Sequence, residues 1–378
     1  MDVTLKKDLI YNKMKEDILS GKLKAGEKLP QGMVLAEKLG VSYITMRRAF
    51  ADLAREGYIA QIHGKGTYIC DRKASAAKKR FLILHGPQQD PSWPYHYIIP
   101  GIERTAMSLE IDIEICLIQS IEELDKSEIA KILAERNISG IVVIASVFLG
   151  NEKILKLLNK QNVPVVLAHA LRKDYQITGW ATTTYNVKAA YREALQHLLD
   201  MGHRRIMTLG EKNNRKEIRG YTYEEYPAFL KSIGADPAKE LVHLSRYNDN
   251  TIPDAIRKAF LRPLPTTAIM CHSDFFAIEA YKTLKSMSLR IPEDVAVMGF
   301  CGAPDGEYME PPLSTIDLGY FSIGKKIVEL LNTADKWFFS EDAKQMAPPL
   351  IHTDYQLKIR GSTNIKIFQP ENEMEYVK

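Results

Sequence analysis

Apolar residues change their period along this chain. Between residues 5 and 20, Leu9, Ile10, Met14, Ile18 and Leu19 recur near helical spacing among lysines and acids, which predicts an amphipathic helix closed by Gly21. Pro30 is expected to open a second helix with Leu35, Ala36 and Leu39 turned inward. Ser42 follows Gly40-Val41 and can cap a third helix by accepting a bond from a free backbone N–H. On that helix Met46, Phe50 and Leu53 fall on one stripe, while Arg47 and Arg48 face away from it. Gly57 stops the helix, and short strands at 58–60 and 67–69 flank a turn containing Gly64-Lys65-Gly66. Helix, turn, helix and hairpin make the outline of a winged helix-turn-helix.

From residue 81 the rhythm is different. Apolar strands are predicted at 81–84, 111–118, 140–144, 163–167, 205–209, 267–271 and 295–300. Helices are predicted between them, near 98–109, 127–136, 151–160, 187–201, 225–233, 252–260, 275–287 and 322–338. Such alternation predicts right-handed βαβ units and parallel, doubly wound sheets. Seven or more units exceed one ordinary sheet, so two Rossmann-like lobes are expected, with a ligand at the carboxyl ends of the strands, across the cleft. The fold class expected is α/β with a small winged-helix head. The expected divisions are a head at 1–72, a basic linker at 73–80, a two-lobed domain at 81–365 and a tail at 366–378. Lobe one would take about 81–184 and 317–342, and lobe two about 185–316 and 343–365.

Composition adds what pattern leaves open. At 378 residues and 45% hydrophobic, the chain has ample material for several cores and is too apolar for a disordered one. The net charge of +4 hides an asymmetry. Residues 1–80 hold 17 Lys/Arg against 9 Asp/Glu, a balance of +8, and the rest hold 34 against 38, a balance of −4. A basic head on an acidic body points to a polyanion-binding module, although a solvated basic face is the simpler alternative. Residues 72–80 are small and basic, which reads as a tether that could also gain phosphate contacts.

Other classes are set aside by what the chain lacks. Its first twenty residues carry charges throughout and no apolar run of a secretory signal, and no stretch approaches the roughly 18 apolar residues of a membrane helix. Cys70, Cys116, Cys271 and Cys301 show no paired spacing, which suits a reducing cytoplasm. No His-x-x-x-His, Cys-x-x-Cys, Gly-x-Ser-x-Gly or phosphate-loop pattern occurs outside the hairpin context of Gly64-Lys65-Gly66-Thr67. Neither catalysis, metal nor cofactor is expected, and adjacent Cys271-His272 is read as structural.

Gly26-Glu27-Lys28-Leu29-Pro30, Leu35-Ala36, Leu39-Gly40-Val41-Ser42, Thr45-Met46-Arg47-Arg48-Ala49, Glu56-Gly57 and Gly64-Lys65-Gly66-Thr67 together resemble the GntR-family DNA-binding domain. The resemblance implies DNA contacts from Ser42, Tyr43, Thr45, Arg47 and Arg48 on the recognition helix, and from His63, Gly64 and Lys65 on the wing. A helix fits the major groove, and an arginine fork bonds bidentately to guanine or phosphate. Two departures stand out. Gln31-Gly32-Met33 replaces the usual Ser-Glu-Arg, and Tyr43 replaces an arginine, so the operator is expected to differ from the common GntR half-site.

Gly101-Ile102-Glu103, Ser139-Gly140-Ile141, Val163-Pro164-Val165, Gly202-His203-Arg204-Arg205, Ser273-Asp274-Phe275-Phe276, Ile291-Pro292-Glu293-Asp294-Val295 and Arg360-Gly361-Ser362 appear in the order seen in the LacI/GalR effector domain. The body therefore resembles that periplasmic-binding-protein type I fold, and the whole chain resembles the arabinose-repressor type of regulator. The resemblance implies a sugar pocket in which Asp274 bonds hydroxyls. The family's pocket arginine position is Glu217 here, flanked by Arg215 and Arg219, and its usual Asp after Gly-Phe is Cys301. The Asp-Asn pair that opens the mid-domain helix is here Asn186-Val187. Asp90, Trp93, Tyr95 and His96 in the loop after the first strand, with Arg172 and Arg219, are further candidates. Aromatic faces suit the C–H face of a sugar ring and charged forks its hydroxyls.

These readings imply a homodimeric repressor of a carbohydrate-use operon, binding double-stranded operator DNA and released by a small sugar or sugar phosphate. Two other readings stay open: a sugar-binding sensor that acts through a protein partner, and a DNA-binding regulator with a degenerate pocket.

Overall fold

The computed structural model describes residues 3–365 apart from 25, 56, 63–65, 71–77, 87–93, 247–249, 262–265 and 341–345. The chain divides into two compact units, residues 1–79 and 80–378.

The head contains α1 (Val3–Leu19), β1 (Lys28–Leu29), α2 (Gly32–Lys38), α3 (Tyr43–Arg55), β2 (Ile59–Ile62) and β3 (Gly66–Ile69). Its strands form an antiparallel sheet in the order β1-β3-β2. The stripe on α3 behaves as its spacing requires: Met46, Ala49, Phe50 and Leu53 are buried against Ile10, Met14 and Ala36. Burying such side chains contributes about 1.5–3 kcal/mol each, which is what holds three short helices together. Gly40 turns the chain at φ 62°, where a Cβ would be strained. Ser42 then caps α3, its Oγ accepting from the Thr45 amide at 3.2 Å. Helix α2 begins at Gly32 with Gln31 as its cap residue, so Pro30 lies outside it, and Leu39, past its last turn, is 40% exposed.

The body opens with β4 (Arg80–His85), α4 (Tyr95–Ser108), β5 (Asp112–Leu117), α5 (Ile118–Glu122), α6 (Lys126–Glu135), β6 (Ile138–Ile144) and α7 (Lys153–Leu158). It continues through β7 (Val165–Leu167), α8 (Arg172–Thr178), β8 (Ala181–Thr184), α9 (Val187–Asp200) and β9 (Ile206–Glu211). A small hairpin follows, β10 (Glu217–Ile218) and β11 (Tyr221–Thr222), then α10 (Tyr226–Ser232), β12 (Val242–Ser245) and α11 (Ile252–Phe260). Next come β13 (Ala268–Cys271), α12 (Asp274–Ser286), β14 (Ala296–Met298), β15 (Thr315–Asp317) and α13 (Tyr320–Asn332). The body's last named elements are α14 (Ala334–Trp337), β16 (Leu350–His352) and β17 (Gln356–Lys358).

Two parallel sheets result. One runs β16-β8-β7-β6-β4-β5 and the other β12-β9-β13-β14, giving the two lobes. The two-residue period of a strand sorts each into two cores. Phe81 and Ile83 of β4, with Val142 and Ile144 of β6, enter the core beneath α4 and α13. Leu82, Leu84, Ile141 and Val143 enter the opposite one with α6 and α7. Ala268 and Met270 of β13 likewise separate from Ile269 and Cys271.

Several expectations are revised. Residues 350–352 join the first sheet by pairing with 182–184, so the late segment does not lie wholly in lobe two. Strand β17 pairs antiparallel with β15 in a separate ribbon. Arg80 is not tether: it starts β4 and pairs with Asp112 at 3.3 Å and Glu114 at 3.4 Å. Strand β8 escaped the apolar pattern because it is Ala-Thr-Thr-Thr, β-branched but polar. Its three threonines are nonetheless buried, with Thr182 donating to the Trp180 carbonyl and Thr183 accepting from the His169 amide.

Helices α4 and α13 cross closely because both are glycine at the crossing. A Cβ on Gly101 would lie 2.1 Å from the Phe321 carbonyl oxygen, and one on Gly324 2.4 Å from that of Ile98. Trp93, Trp180 and Trp337 all belong to the body, so tryptophan fluorescence follows its unfolding. Gly101→Ala is expected to destabilise the body by about 1–3 kcal/mol in urea titrations followed this way. An unchanged midpoint would show that the crossing relaxes without penalty.

Candidate functional site

Packing of the α3 stripe decides which head residues face outward. With Met46, Phe50 and Leu53 committed to the core, Ser42, Tyr43, Ile44, Arg47 and Arg48 are left exposed. Tyr43 is 51% and Ile44 64% exposed, an apolar patch beside two arginines. Thr45 does not join this face. It is 3% exposed, and its hydroxyl lies 2.8 Å from that of Ser42, so it holds the cap in place. His63, Gly64 and Lys65 lie outside the described residues.

In the body, a cavity of about 530 Å³ lies where strands of both sheets end. Its size falls within the range of small-molecule sites. Its wall comes from residues just past the strands: Ser146 and Val147 after β6, His169 after β7, Tyr185 after β8, Glu211 ending β9, His272 after β13 and Cys301 after β14. Tyr320, in the first turn of α13, closes the floor. His169 stacks on Tyr185 at 5.0 Å between ring centroids and meets the edge of Tyr320 at 4.7 Å. Val147, His169, Arg219 and Cys301 all hold positive φ, at 67°, 51°, 48° and 116°. For a β-branched valine that conformation is strained, and such strain concentrates at functional sites.

Arg219 reaches the cavity by local chain logic. Strands β10 and β11 pair Ile218 with Tyr221, leaving Arg219-Gly220 as a two-residue turn with φ 48° and 85°. This matches the primed turn that suits a hairpin's twist. The guanidinium lies 4.0 Å above the Phe300 ring centroid and donates through Nη2 to the His272 carbonyl. Burial opposes its charge, but Tyr185, Cys301, Tyr320 and Glu211 around it hold its pKa above the ordinary value. Burial, then the field of Arg219, drives His169 down to about 3, so its ring is neutral. Burial also raises Glu211, but the hydrogen bond from His272 and the charges of His272 and Arg219 outweigh it and lower its pKa. His272 Nε2 lies 3.0 Å from that carboxylate.

A salt-bridge knot beside the cavity joins the lobes. Arg215, between β9 and β10, donates from Nε and Nη2 to the Phe148 carbonyl at 3.1 and 2.7 Å. Nη2 also meets the Asp174 carboxylate of α8. Asp174 in turn accepts from the amides of Phe148 at 2.9 Å and Leu171 at 2.8 Å. The Arg215 side chain is 2% exposed and that of Asp174 is fully buried, so every lone pair counts. At the rim Lys173 and Glu217 pair across the same cleft at 2.9 Å.

Of the effector residues expected from sequence, Arg219 alone is a wall residue among the described ones. Asp274 is 2% exposed and turned inward, accepting from the Thr315 hydroxyl and the Ala303 amide, both at 2.6 Å. It pins the loop after β14 to β15 and is not available to a sugar hydroxyl. Tyr95 is buried between His85 and His96, and His96 and Arg172 are exposed outside the wall. Asp90 and Trp93 lie outside the described residues. His272, read as structural, lines the cavity, while Cys271 is buried in the core. The missed wall residues had a usable signal, since His169, Glu211, His272 and Cys301 each stand one or two positions past a predicted strand.

Comparison with known proteins agrees with both units. Residues 6–69 match the gntR family of bacterial regulatory proteins, and residues 195–363 match a periplasmic binding protein-like domain. The arabinose metabolism transcriptional repressor of Halalkalibacterium halodurans is 24% identical over 342 residues, covering 85% of this chain and 88% of its own. The HTH-type transcriptional repressor CytR of Escherichia coli K12 is 24% identical over 327 residues, covering 85% and 89%. A LacI-family regulatory protein from Chloroflexus aggregans superposes with TM-score 0.59 at 21% identity, over 75% of this chain and 98% of its own. The gntR family and both of these relatives are transcriptional regulators rather than enzymes. No helix among the described residues is long and apolar enough to cross a membrane.

Two outcomes test these geometries. Arg215→Ala leaves a buried carboxylate without its cation and is expected to cost the body about 3–5 kcal/mol in urea titration. A loss below 1 kcal/mol would show that water takes over the guanidinium's role. Burial raises Asp274 to about 6, against hydrogen bonds from Thr315 and the Ala303 amide that favour the anion. A folded pKa above the unfolded one means the native state binds more protons, so this group's contribution falls as pH rises from about 4 to 6. The loss over that window is expected to reach up to about 3 kcal/mol and to vanish in Asp274→Asn. Parallel stability–pH curves for the two proteins would refute it.

Proposed function

We propose that this chain, a GntR-type regulatory domain joined to a periplasmic-binding-protein-like domain, is a ligand-controlled transcriptional repressor that binds operator DNA as a cytoplasmic homodimer. The observation that carries the reading is the presence within one chain of an outward-facing cationic helix and a strand-end cavity. Two recognition helices about one turn of duplex apart would read a pseudo-palindromic operator. Ser42, Tyr43, Arg47 and Arg48, with His63, Gly64 and Lys65 on the wing, are the proposed DNA contacts. Exposed Tyr43 and Ile44 suit apolar contact with thymine methyls where an arginine would select guanine.

An effector in the cavity touches both lobes and so stabilises their closed arrangement. To release DNA it must bind the DNA-free state more tightly than the DNA-bound one. The similarity to an arabinose metabolism repressor supports a sugar or sugar derivative as the effector, with Tyr185, His169 and Tyr320 offering the ring-stacking wall.

Footprinting on the DNA upstream of the chain's own gene, followed by gel shifts, tests the DNA half. Arg47→Ala is expected to weaken operator binding by about 1–3 kcal/mol and to lower the salt slope by about one. Unchanged affinity and slope would refute the recognition-helix assignment. No footprint at all would favour action through a protein partner.

A further inference from the structure

We propose that the head selects its operator through thymine methyl groups, with Tyr43 and Ile44 seated against them in each half-site. This rests on the reading of the head as an operator-binding domain and names the bases it prefers.

The outer face of α3 carries the argument. Ile44, Arg47 and Arg48 stand at i, i+3 and i+4, so they are neighbours on the side turned away from Met46, Phe50 and Leu53. At about 100° per residue, Ile44 falls between the two arginines around the helix axis. Tyr43 stands one turn before Arg47 and is exposed as well. The flanking cations identify what covers this apolar surface, because they complement a phosphate backbone, and residues 6–69 match the gntR family of bacterial regulatory proteins. In the major groove the apolar group that distinguishes one base pair from another is the thymine C5-methyl, whereas a G·C pair presents donors and acceptors. Ile44 set against a G·C edge would strip water from N7 and O6 and return no hydrogen bond. Against a thymine methyl it buries apolar surface on both partners.

The second observation concerns the two positions where the resemblance leads one to expect arginine. They hold Met33 and Tyr43, and both fall at the contact between α2 and α3. A Cβ on Gly32 would lie 3.5 Å from Tyr43 Cε2 and 3.7 Å from Phe50 Cε2, so the Tyr43 ring rests on the start of α2 beside a core side chain. A ring held in this way loses little further freedom when DNA covers it. Met33, adjoining Gly32, is 70% exposed, so apolar surface stands at both former arginine positions.

Selection by the full chain from a random duplex pool supplies the operator. Each half-site thymine is then replaced by uracil, which deletes the methyl and keeps every hydrogen-bonding group. In fluorescence anisotropy the wild-type chain is expected to lose about fourfold in affinity for each contacted methyl removed, and nothing for uracil outside the half-sites. The double variant Tyr43→Ala, Ile44→Ala should lose that sensitivity, and Tyr43→Arg should select guanine in place of a thymine. Equal affinity for thymine and uracil at every position overturns the methyl reading and leaves operator binding standing. Uracil sensitivity retained in the double variant overturns the assignment to these two side chains. A lower sedimentation mass for the DNA-free double variant than for wild type gives the patch to a second copy of the chain and overturns it too. Selection of no duplex counts against operator binding itself, and so against both readings.

Discussion

The body depends on one buried ion pair, Arg215 with Asp174, tied through the Phe148 carbonyl and amide. Each lobe has its own sheet, and one apolar cluster runs through both, from Phe81 and Val142 to Ala268 and Met298. What neither lobe supplies alone is the cavity, whose wall takes Ser146, His169 and Tyr185 from one side and Glu211, Arg219 and His272 from the other. The knot ties the two sides together at the cleft, beside the apolar cluster that the lobes share. Desolvating two charges is repaid only when their geometry is good and the remaining polar groups are served; the Phe148 and Leu171 amides serve the carboxylate, while Arg215 Nη1 is buried without a partner. A contact of this kind has a well-defined made and broken form, which is the property a two-state element needs.

The head is governed by a simpler constraint. Three short helices bury one stripe each, and whatever α3 does not bury it must display. That leaves Arg47 and Arg48 beside Tyr43 and Ile44, a face that sets charge and apolar surface side by side. The charge asymmetry of the sequence, +8 before residue 80 and −4 after it, follows the division into the two units.

Periodicity made the architecture legible. The helical stripe of Met46, Phe50 and Leu53 and the two-residue alternation of Phe81 to Leu84 are direct consequences of backbone geometry, so they read through without tertiary information. Polar strands did not: the buried threonines of β8 carry no apolar signal. The cavity was legible in position, at the strand ends, but poorly in composition. Family position suggested Asp274 as a ligand contact, yet its side chain turns inward because Thr315 and the Ala303 amide capture both oxygens. Arg215 and Arg219 stand four residues apart with similar sequence surroundings. Only the hairpin between β10 and β11, with its tight Arg219-Gly220 turn, sends one to the lobe junction and the other to the cavity. Such a choice depends on long-range packing that no local pattern encodes.

Coupling between cleft closure and DNA binding is the central claim, and the rim pair Lys173–Glu217 offers a direct handle on it. Lys173 is 56% exposed, so reversing its charge should leave folding intact while setting like charges across the cleft mouth. Operator affinity would be measured by fluorescence anisotropy for wild type, Lys173→Glu, Glu217→Lys and the double exchange. If closure releases DNA, each single reversal binds operator more tightly than wild type, and the double exchange returns to the wild-type value. Equal affinity in all four proteins would contradict the coupling.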